Sequence, residues 1–417
     1  MSEQKIMNRW LAVVGAILIQ LALGAIYAWS VFTPYLRDEA AWSKAQTQYV
    51  FSAGLAFFAI VMVLAGKMMP KVGPRKLAIT GGIVLGLGYI LGGLFGGTNP
   101  ILLILFIGVI GGSGIGIAYV VPIAVGMRWF PDKKGLITGL AVAGFGFGAM
   151  FWVKIAGSWG HLIDNVGLSM TFTIYGIVFL VMVVIGGVWM VFPPENWKPE
   201  GWSAPAPKAG QVAAGVNLVS SQILKTPQFY MIFFTFVFSG GAGLMTIGLM
   251  KLFPLEALQA AGKSAAEASA IAGTAMAVFF SLANGMGRIV WGTLSDKLGR
   301  KLSVIIMCVT QGVFMIVFTQ VAGVPAFLFT LATLIGFNFG GNFALFPTLT
   351  ADTFGAKFIG QNYPWVFLAY GVGGIFGPIL GGKLGDLGNF PIAFIGCGVL
   401  CILAAGITMA IKPPKTV

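Results

Sequence analysis

About twelve long apolar stretches dominate the sequence of 417 residues, and this pattern constrains the fold more than any other feature. A helix that crosses a bilayer needs about 20 mainly apolar residues, because the hydrocarbon core is about 30 Å thick and each residue rises 1.5 Å. Only 9% of the residues are charged, whereas soluble domains have about 25%. The sequence therefore predicts an all-α membrane protein with twelve transmembrane helices.

Charged residues, Pro and Gly separate the apolar stretches and divide them into two sets of six. In the first half the predicted spans are 9–35, 47–68, 75–97, 100–128, 135–162 and 168–193. In the second half they are 227–251, 268–294, 302–321, 325–350, 361–385 and 389–411. The polar stretch 194–226 is rich in Pro, Ala, Gly and Ser, which is typical of a linker. We therefore expect an N-terminal bundle over 1–193, a linker over 194–226 and a C-terminal bundle over 227–417.

The two halves repeat each other in one register. Gly66, Lys71 and Gly73 fall on Gly292, Lys297 and Gly299 when the chain is shifted by 226 residues. At a shift of 225 further matches follow, pairing Gly111, Gly116, Pro122, Gly135, Gly146 and Gly148 with Gly336, Gly341, Pro347, Gly360, Gly371 and Gly373. Parallel six-helix repeats with a substrate site between them are a known transporter architecture. The repeat therefore predicts two six-helix pseudo-repeats around a central site.

Basic residues are distributed unequally between the two faces of the predicted membrane segment. The side that holds both termini and the loops after even-numbered spans carries 18 of the 25 Lys and Arg residues, against 6 on the other side. Short loops rich in Lys and Arg stay in the cytoplasm. We therefore expect a multi-pass protein of the cell inner membrane with both termini cytoplasmic, and the net charge of +13 reports topology rather than a nucleic-acid partner.

The ionisable residues argue against an enzyme and against a metal or cofactor site. Cys308, Cys397 and Cys401 all lie inside predicted spans, where thiols usually pack as small apolar groups. The spans contain no paired carboxylates, no histidine cluster and no Ser/His/Asp set. Lys154 and the single histidine, His161, are expected near the outer interface. The sequence thus predicts a transporter rather than a catalyst.

The loop that joins the second and third spans of each half resembles the signature loop of the major facilitator superfamily. The sequence GTLSDKLGRK at 292–301 has the pattern G-x-x-x-D-x-x-G-R-K, whereas the copy at 66–76 has Pro70 in place of the acid. The stretch RWFPDKKG at 128–135, Tyr27 with Trp29, and Asn284 with Arg288 resemble the oxalate:formate antiporter and monocarboxylate transporter branch. The resemblance implies that conformational change involves Gly292, Asp296, Gly299 and Arg300, together with Asp132 and Lys133. It also implies a monomer.

Arg288 is the most informative single residue. It precedes Asp296 of the loop by eight residues, which is about 12 Å of helix and close to half the hydrocarbon thickness. A cation at that depth costs at least about 2.5–3.5 kcal/mol on insertion scales, and its repeat counterpart is Met62. One interpretation is that Arg288 snorkels to the cytoplasmic face. The other is that it binds a carboxylate through two hydrogen bonds, as the resemblance also implies. Asn284, one turn away, is expected to bind the substrate, the guanidinium or a neighbouring helix.

Several aromatic residues are expected around the site. By resemblance, Tyr27, Tyr119, Phe339, Phe343 and Phe367 line the central cavity, although packing or lipid contact explains each phenylalanine equally well. Tyr370 stands where oxalate:formate antiporters carry a lysine. Two buried cations suit a dianion, whereas one cation and a phenol suit a singly charged acid. This difference favours a lactate- or pyruvate-like substrate over oxalate.

No carboxylate falls near the middle of a predicted span, so the sequence leaves the coupling mechanism open. The favoured hypothesis is alternating access with symport of a small monocarboxylate and a proton, which is the expected co-substrate. An oxalate:formate-type exchanger needs no titrating group and is the alternative. A membrane sensor that does not transport is a third possibility, and it would not need Arg288.

Overall fold

The computed structural model describes residues 6–32, 35–36, 40–42, 44–157, 159–195, 197–202, 217–250 and 252–412. The chain forms helices and no strands within these ranges, and twelve of the helices are long and apolar enough to cross a membrane. This confirms the predicted fold class. Residues 203–216 of the predicted linker, and both chain ends, lie outside the described residues.

The twelve long helices follow the predicted spans in order. They are α1 (Arg9–Trp29), α2 (Tyr49–Val72), α3 (Pro74–Gly96), α4 (Pro100–Trp129), α5 (Lys134–Ala156), α6 (Leu162–Gly187), α7 (Pro227–Leu249), α8 (Ala265–Leu298), α9 (Arg300–Val321), α10 (Pro325–Phe354), α11 (Ile359–Gly385) and α12 (Phe390–Ala410). Two short helices, Ser220–Ile223 and Leu252–Ala260, lie outside this set. We call the face at which α1 begins and α12 ends the terminal face.

Proline and capping residues explain where several helices begin. α3, α4, α7 and α10 each have Pro at or next to the first position, where its missing N–H is not needed. The Asn99 side chain accepts from the backbone N–H of Ile101, and Thr226 accepts from Phe229 in the same way. These local signals place the helix starts close to the predicted bounds.

The structure corrects some of the predicted bounds. A short helical segment over 162–166 precedes the predicted sixth span. Gly167, whose positive φ of 77° is not helical, separates it from the helix that follows at the predicted position 168. α8 is also longer than the predicted 268–294, because the capping box of Ser264 and Glu267 starts a helical turn before the apolar stretch.

The internal repeat is visible in the backbone as well as in the sequence. Gly73, between α2 and α3, has φ 84° and ψ 154°, and Gly299, between α8 and α9, has φ 89° and ψ 150°. Only glycine adopts such angles readily, which explains why both copies of the loop have glycine there. The register read from the sequence is therefore the register of the fold.

Glycines bring the two halves into close contact towards the terminal face. A Cβ on Gly135 of α5 would collide with the carbonyl of Gly292 of α8, and one on Gly139 would collide with the carbonyl of Arg288. A Cβ on Gly66 of α2 would likewise meet the carbonyl of Gly360 of α11. Small residues allow such backbone approach between membrane helices. The halves are thus closed against each other at this face.

Candidate functional site

Arg288 lies inside the protein and does not snorkel to a face. Its side chain is fully buried, with 0% exposed, and two of its nitrogens are already bonded. Nε donates to Oδ1 of Asn284 at 3.2 Å, and Nη1 donates to the carbonyl oxygen of Val142 on α5 at 2.9 Å. Nη2 has no hydrogen-bond partner among the described residues. One edge of the guanidinium is therefore held in place, while both N–H groups of Nη2 remain available.

Aromatic rings cover the faces of the guanidinium. Its central carbon lies 4.0 Å from the ring centroid of Phe343 and 5.3 Å from that of Phe145. A cation over an aromatic face gains roughly 2 kcal/mol or more when it is desolvated. That gain is smaller than the several kcal/mol needed to bury an ion. The rings stabilise the arginine without neutralising it.

No carboxylate in the described part of the chain lies within ion-pair distance of Arg288. The described ion pairs of other residues all lie towards the ends of the helices and involve Asp132, Asp164, Asp296 and Asp352. A buried charge is normally paired with an opposite one. The guanidinium is thus a positive charge deep in the molecule without an opposite charge beside it, and a bound anion would neutralise it.

Two tyrosine hydroxyls join the halves beside this charge. The hydroxyl of Tyr27 on α1 is hydrogen-bonded to that of Tyr370 on α11, and both side chains are buried. The Tyr27 ring packs edge-on against Phe145, with centroids 5.0 Å apart. The Tyr27 hydroxyl also lies within electrostatic reach of Arg288. Both tyrosines therefore belong to the same buried cluster as the arginine.

Tyr119 contributes a further hydroxyl from α4. Its side chain is fully buried, its hydroxyl has no hydrogen-bond partner of ordinary geometry among the described residues, and it lies within electrostatic reach of Arg288. The amide of Gln20 donates to the Tyr119 backbone carbonyl at 3.1 Å and so ties α4 to α1. The ring packs against Phe58 with a centroid distance of 4.9 Å. The Tyr119 side chain is therefore held between α1 and the aromatic cluster, with its hydroxyl next to the Arg288 side chain.

The three predicted phenylalanines complete the cluster. Phe343 contacts Phe339 at a centroid distance of 5.2 Å and Tyr370 at 5.4 Å. Phe367 contacts Tyr370 at 4.8 Å. The structure thus brings together all eight residues that the sequence had suggested for substrate binding; they are Arg288, Asn284, Tyr27, Tyr119, Tyr370, Phe339, Phe343 and Phe367.

Asp296 connects the halves at the terminal face. Its two carboxylate oxygens accept hydrogen bonds of 3.1 Å from the backbone N–H groups of Gly135 and Leu136, in the first turn of α5. A carboxylate at a helix N-terminus satisfies free donors and interacts with the helix dipole. Arg300 bonds to Asp296, and its Nε lies 3.3 Å from Oδ2 of Asp352. Gly292 and Gly299 allow the close approach and the turn that this arrangement needs.

Asp132 and Lys133 have a different setting. The carboxylate of Asp132 accepts from Nη1 of Arg9 at 3.1 Å, so it links the loop before α5 to the start of α1 within the first half. Lys133 precedes the first residue of α5. The contacts of Asp132 therefore stabilise one half and do not bridge the two.

Some contacts of the site were not predicted from the sequence. The Val142 carbonyl binds the guanidinium, Phe145 covers it, and Phe58 packs against Tyr119. Val142 and Phe145 lie in a glycine-rich stretch of α5 in which Gly139 and Gly146 contact α8. That glycine spacing was the one available signal that this part of α5 faces Arg288.

The remaining candidate groups lie away from the cluster. His161 and Asp164 form an exposed pair, 3.3 Å apart, at the start of α6. The Tyr35 hydroxyl donates to the other carboxylate oxygen of Asp164 at 2.7 Å. Within the described ranges no group of three or more His, Cys, Asp or Glu side chains is placed to hold a metal ion.

Comparison with known proteins identifies the family. The model of the Major Facilitator Superfamily matches residues 12–280 and, a second time, residues 249–417. The chain belongs to the major facilitator superfamily. It is a multi-pass membrane protein of a transporter family, as the sequence predicted.

Individual members of the superfamily resemble the chain over most of its length. The MFS-type transporter YhjX of Escherichia coli, whose function is uncharacterized, is 30% identical over 88% of this chain and 86% of its own length. The oxalate:formate antiporter of Oxalobacter formigenes is 26% identical over 97% of this chain and 92% of its own. The solved structure of the proton:xylose symporter XylE has a TM-score of 0.66 at 14% identity and covers 95% of this chain and 94% of the other. That likeness concerns the fold alone.

Proposed function

We propose that the protein is a secondary active transporter of small monocarboxylates of the L-lactate or pyruvate type, which it moves together with a proton. The observation that carries the proposal is the fully buried Arg288, with a free Nη2 and no carboxylate within ion-pair distance in the described residues. A transported anion supplies the missing negative charge. The substrate can also leave the site, because Asn284, Val142 and the aromatic rings hold the Arg288 side chain in place whether or not an anion is bound.

The chemistry of the site suits a carboxylate. A planar guanidinium offers its donors in a geometry that matches the two oxygens of a carboxylate, and charge-assisted hydrogen bonds are about twice as strong as neutral ones. The Tyr119 hydroxyl adds a neutral donor. The surrounding rings form an apolar wall, which is typical of sites that bind small organic molecules.

The charge of the site favours a singly charged acid. Arg288 is the one cation of the buried cluster, and Tyr370 stands where the resembling antiporters have a lysine. A second negative charge on the ligand would enter this low-dielectric region without a partner, which costs several kcal/mol. We therefore propose monocarboxylates rather than oxalate as substrates.

We propose that the two bundles, 1–193 and 227–417, rock about the central cluster and expose it to each side in turn, with 194–226 as the linker. In this account the terminal face is cytoplasmic, the protein lies in the cell inner membrane as a monomer, and the bonds of Asp296 to α5 hold the cytoplasmic side closed. The described helices have no carboxylate in the cluster, so we assign the proton to the acid itself or to the tyrosines and water.

The second candidate is an exchanger of the oxalate:formate type. Its support is the oxalate:formate antiporter, which is 26% identical over nearly the whole chain. Anion exchange requires no titrating group, which also fits the cluster. Tyr370 argues against oxalate exchange, because a phenol at this position leaves the second negative charge of oxalate without a cationic partner.

Purified protein in proteoliposomes tests the proposal. We expect an inward proton gradient to drive accumulation of radiolabelled L-lactate or pyruvate, and Arg288→Lys to abolish it. Exchange of internal for external anion without net proton-driven uptake would contradict symport and favour the exchanger. Full uptake by Arg288→Lys would show that transport does not need the planar guanidinium, and it would contradict the proposed carboxylate site.

A further inference from the structure

Several buried polar atoms lack hydrogen-bond partners within the described residues. Among them are Nη2 of Arg288 and the hydroxyl oxygens of Tyr119 and Tyr363. The first two belong to the predicted site. Tyr363 on α11 has no role in the account so far, although its side chain is fully buried with 0% exposed. A buried hydroxyl without a partner costs about 1–3 kcal/mol, so its presence needs an explanation.

Tyr363 lies between the cluster and the closed terminal face. It precedes Tyr370 by seven residues, which is about 10 Å of helix in the direction of that face. It follows Gly360 by three residues, and the carbonyl of Gly360 is the point where α11 meets Gly66 of α2. Tyr363 is therefore buried between the central cluster and the contact that closes the two halves.

Tyr363 is also connected to the cluster. Its ring packs edge-on against Phe367 with a centroid distance of 5.6 Å, and Phe367 in turn contacts Tyr119 at 5.2 Å. The Tyr363 hydroxyl lies within electrostatic reach of Tyr119 and Arg288. A phenylalanine would make the same ring contacts without leaving a buried hydroxyl unpaired. The packing of the closed state thus gives no reason for the oxygen.

We propose that Tyr363 is a second substrate-binding residue, which donates a hydrogen bond to the carboxylate when the terminal face is open. Separation of α11 from α2 would expose the hydroxyl on the route between Arg288 and the cytoplasm. The ligand class is the same short-chain carboxylate that Arg288 binds, and the inference rests on the proposed function. The inference predicts a difference between the two sides of the membrane. Tyr363 binds the substrate only when the site is open to the cytoplasm, whereas Arg288 binds it when the site is open to either side.

Side-specific kinetics of Tyr363→Phe test this inference. Uptake of radiolabelled L-lactate into intact cells measures the KM on the outer side, and uptake into inverted membrane vesicles measures it on the cytoplasmic side. We expect the cytoplasmic KM to rise about tenfold and the outer KM to change less than twofold. We also expect no loss of thermal stability, because the removed hydroxyl has no partner in the closed state.

Tyr175→Phe is the matched control. Tyr175 is a buried tyrosine of α6 whose hydroxyl donates to the carbonyl oxygen of Trp152, away from the cluster. Its loss should lower the thermal stability and change both KM values equally. Equal KM changes on the two sides in Tyr363→Phe, or unchanged values on both, would overturn the inference. Neither result would affect the proposed function, which the proteoliposome experiments on wild type and Arg288→Lys test separately.

Discussion

The two halves of the protein have the same architecture but not the same chemistry, and the loops between their second and third helices show this directly. Asp296 lies in the last turn of α8, and its carboxylate binds the first turn of α5 in the other half. Pro70 stands at the matching place in the last turn of α2. Pro70 lines a cavity of about 270 Å³ together with Arg128, Lys357 and the first residues of α11. One of two equivalent contacts between the halves therefore has a carboxylate and the other does not.

The same asymmetry occurs at the depth of the site. Arg288 on α8 is buried and charged, whereas its repeat counterpart Met62 on α2 is buried and apolar. The fold thus accepts an apolar side chain at this position. The repeat thus determines where helices and turns lie, whereas the buried cation Arg288 and the bridging carboxylate Asp296 occur in one half without a counterpart at the matching positions of the other.

The largest expected effect concerns this pair of positions. Arg288→Lys keeps the positive charge but removes the planar donor set that binds a carboxylate through two hydrogen bonds. We expect uptake of L-lactate in proteoliposomes to fall more than a hundredfold. Met62→Leu, a volume-conserving change at the matching position, should keep uptake within twofold. A comparable loss in both variants would show that the two positions matter for packing alone.

A carboxylate beside Arg288 should convert the site into a pH-dependent one. In Asn284→Asp the new side chain, which already accepts from Nε of Arg288 as an amide, would neutralise the guanidinium when ionised. We expect the KM for L-lactate to rise at least tenfold at neutral pH and to recover as the pH falls, because protonation of the aspartate frees the cation. Uptake measured as a function of pH at constant membrane potential checks this. A KM that rises on acidification would contradict the assigned role.

Loss of the Asp296 carboxylate should open the terminal face. Asp296→Asn removes the charge from two bonds to the α5 N-terminus and from the bond to Arg300, and charge-assisted bonds contribute about 1.5–3 kcal/mol each. We expect the open population to increase about tenfold, measured by spin-label distances between α5 and α8. Asp132→Asn, which breaks a contact within one half, should leave this distribution unchanged. An equal shift of the distance distribution in both variants would contradict the proposal that the bonds from Asp296 to α5 hold the two halves together.

Introducing a carboxylate at position 70, which matches Asp296 of the other half, should have the smallest effect on transport. Pro70→Asp would place a carboxylate beside Arg128, Lys357 and the N-terminus of α11. A charge at a helix N-terminus contributes about 0.3–1 kcal/mol. We therefore expect transport to slow about two- to fivefold, with the spin-label distribution shifted towards closure between α2 and α11. Faster transport, or no shift, would show that the two loops are not equivalent.

Much of the fold could be predicted because its determinants are local. Twelve apolar stretches, Pro at helix starts and glycine at positions 73 and 299 are each readable from a short window of sequence. Arg288 could also be singled out, since its distance from the loop fixes its depth. The start of α8 lay outside its predicted span because Ser264 and Glu267, which cap the helix, are polar.

The unpredicted part of the site depends on contacts between distant segments. The sequence identifies Asp296 as part of a loop but does not indicate that its partners are Gly135 and Leu136 of the other half. In the same way, nothing in a local pattern distinguishes Phe145 or Tyr363 from the many other buried aromatics. Only the packing of α5 against α8 and of α11 against α2 reveals which of these aromatic residues contact the guanidinium or remain unpaired.

Ligand-induced thermal stabilisation of the purified protein tests the central claim most directly, because a ligand that binds the folded state raises its melting temperature. Wild type and Arg288→Gln should be compared with short mono- and dicarboxylates at equal concentration. The account predicts that L-lactate and pyruvate stabilise the wild type more than oxalate does, and that none of them stabilises the variant. Preferential stabilisation by dicarboxylates, or equal stabilisation of the variant, would contradict it.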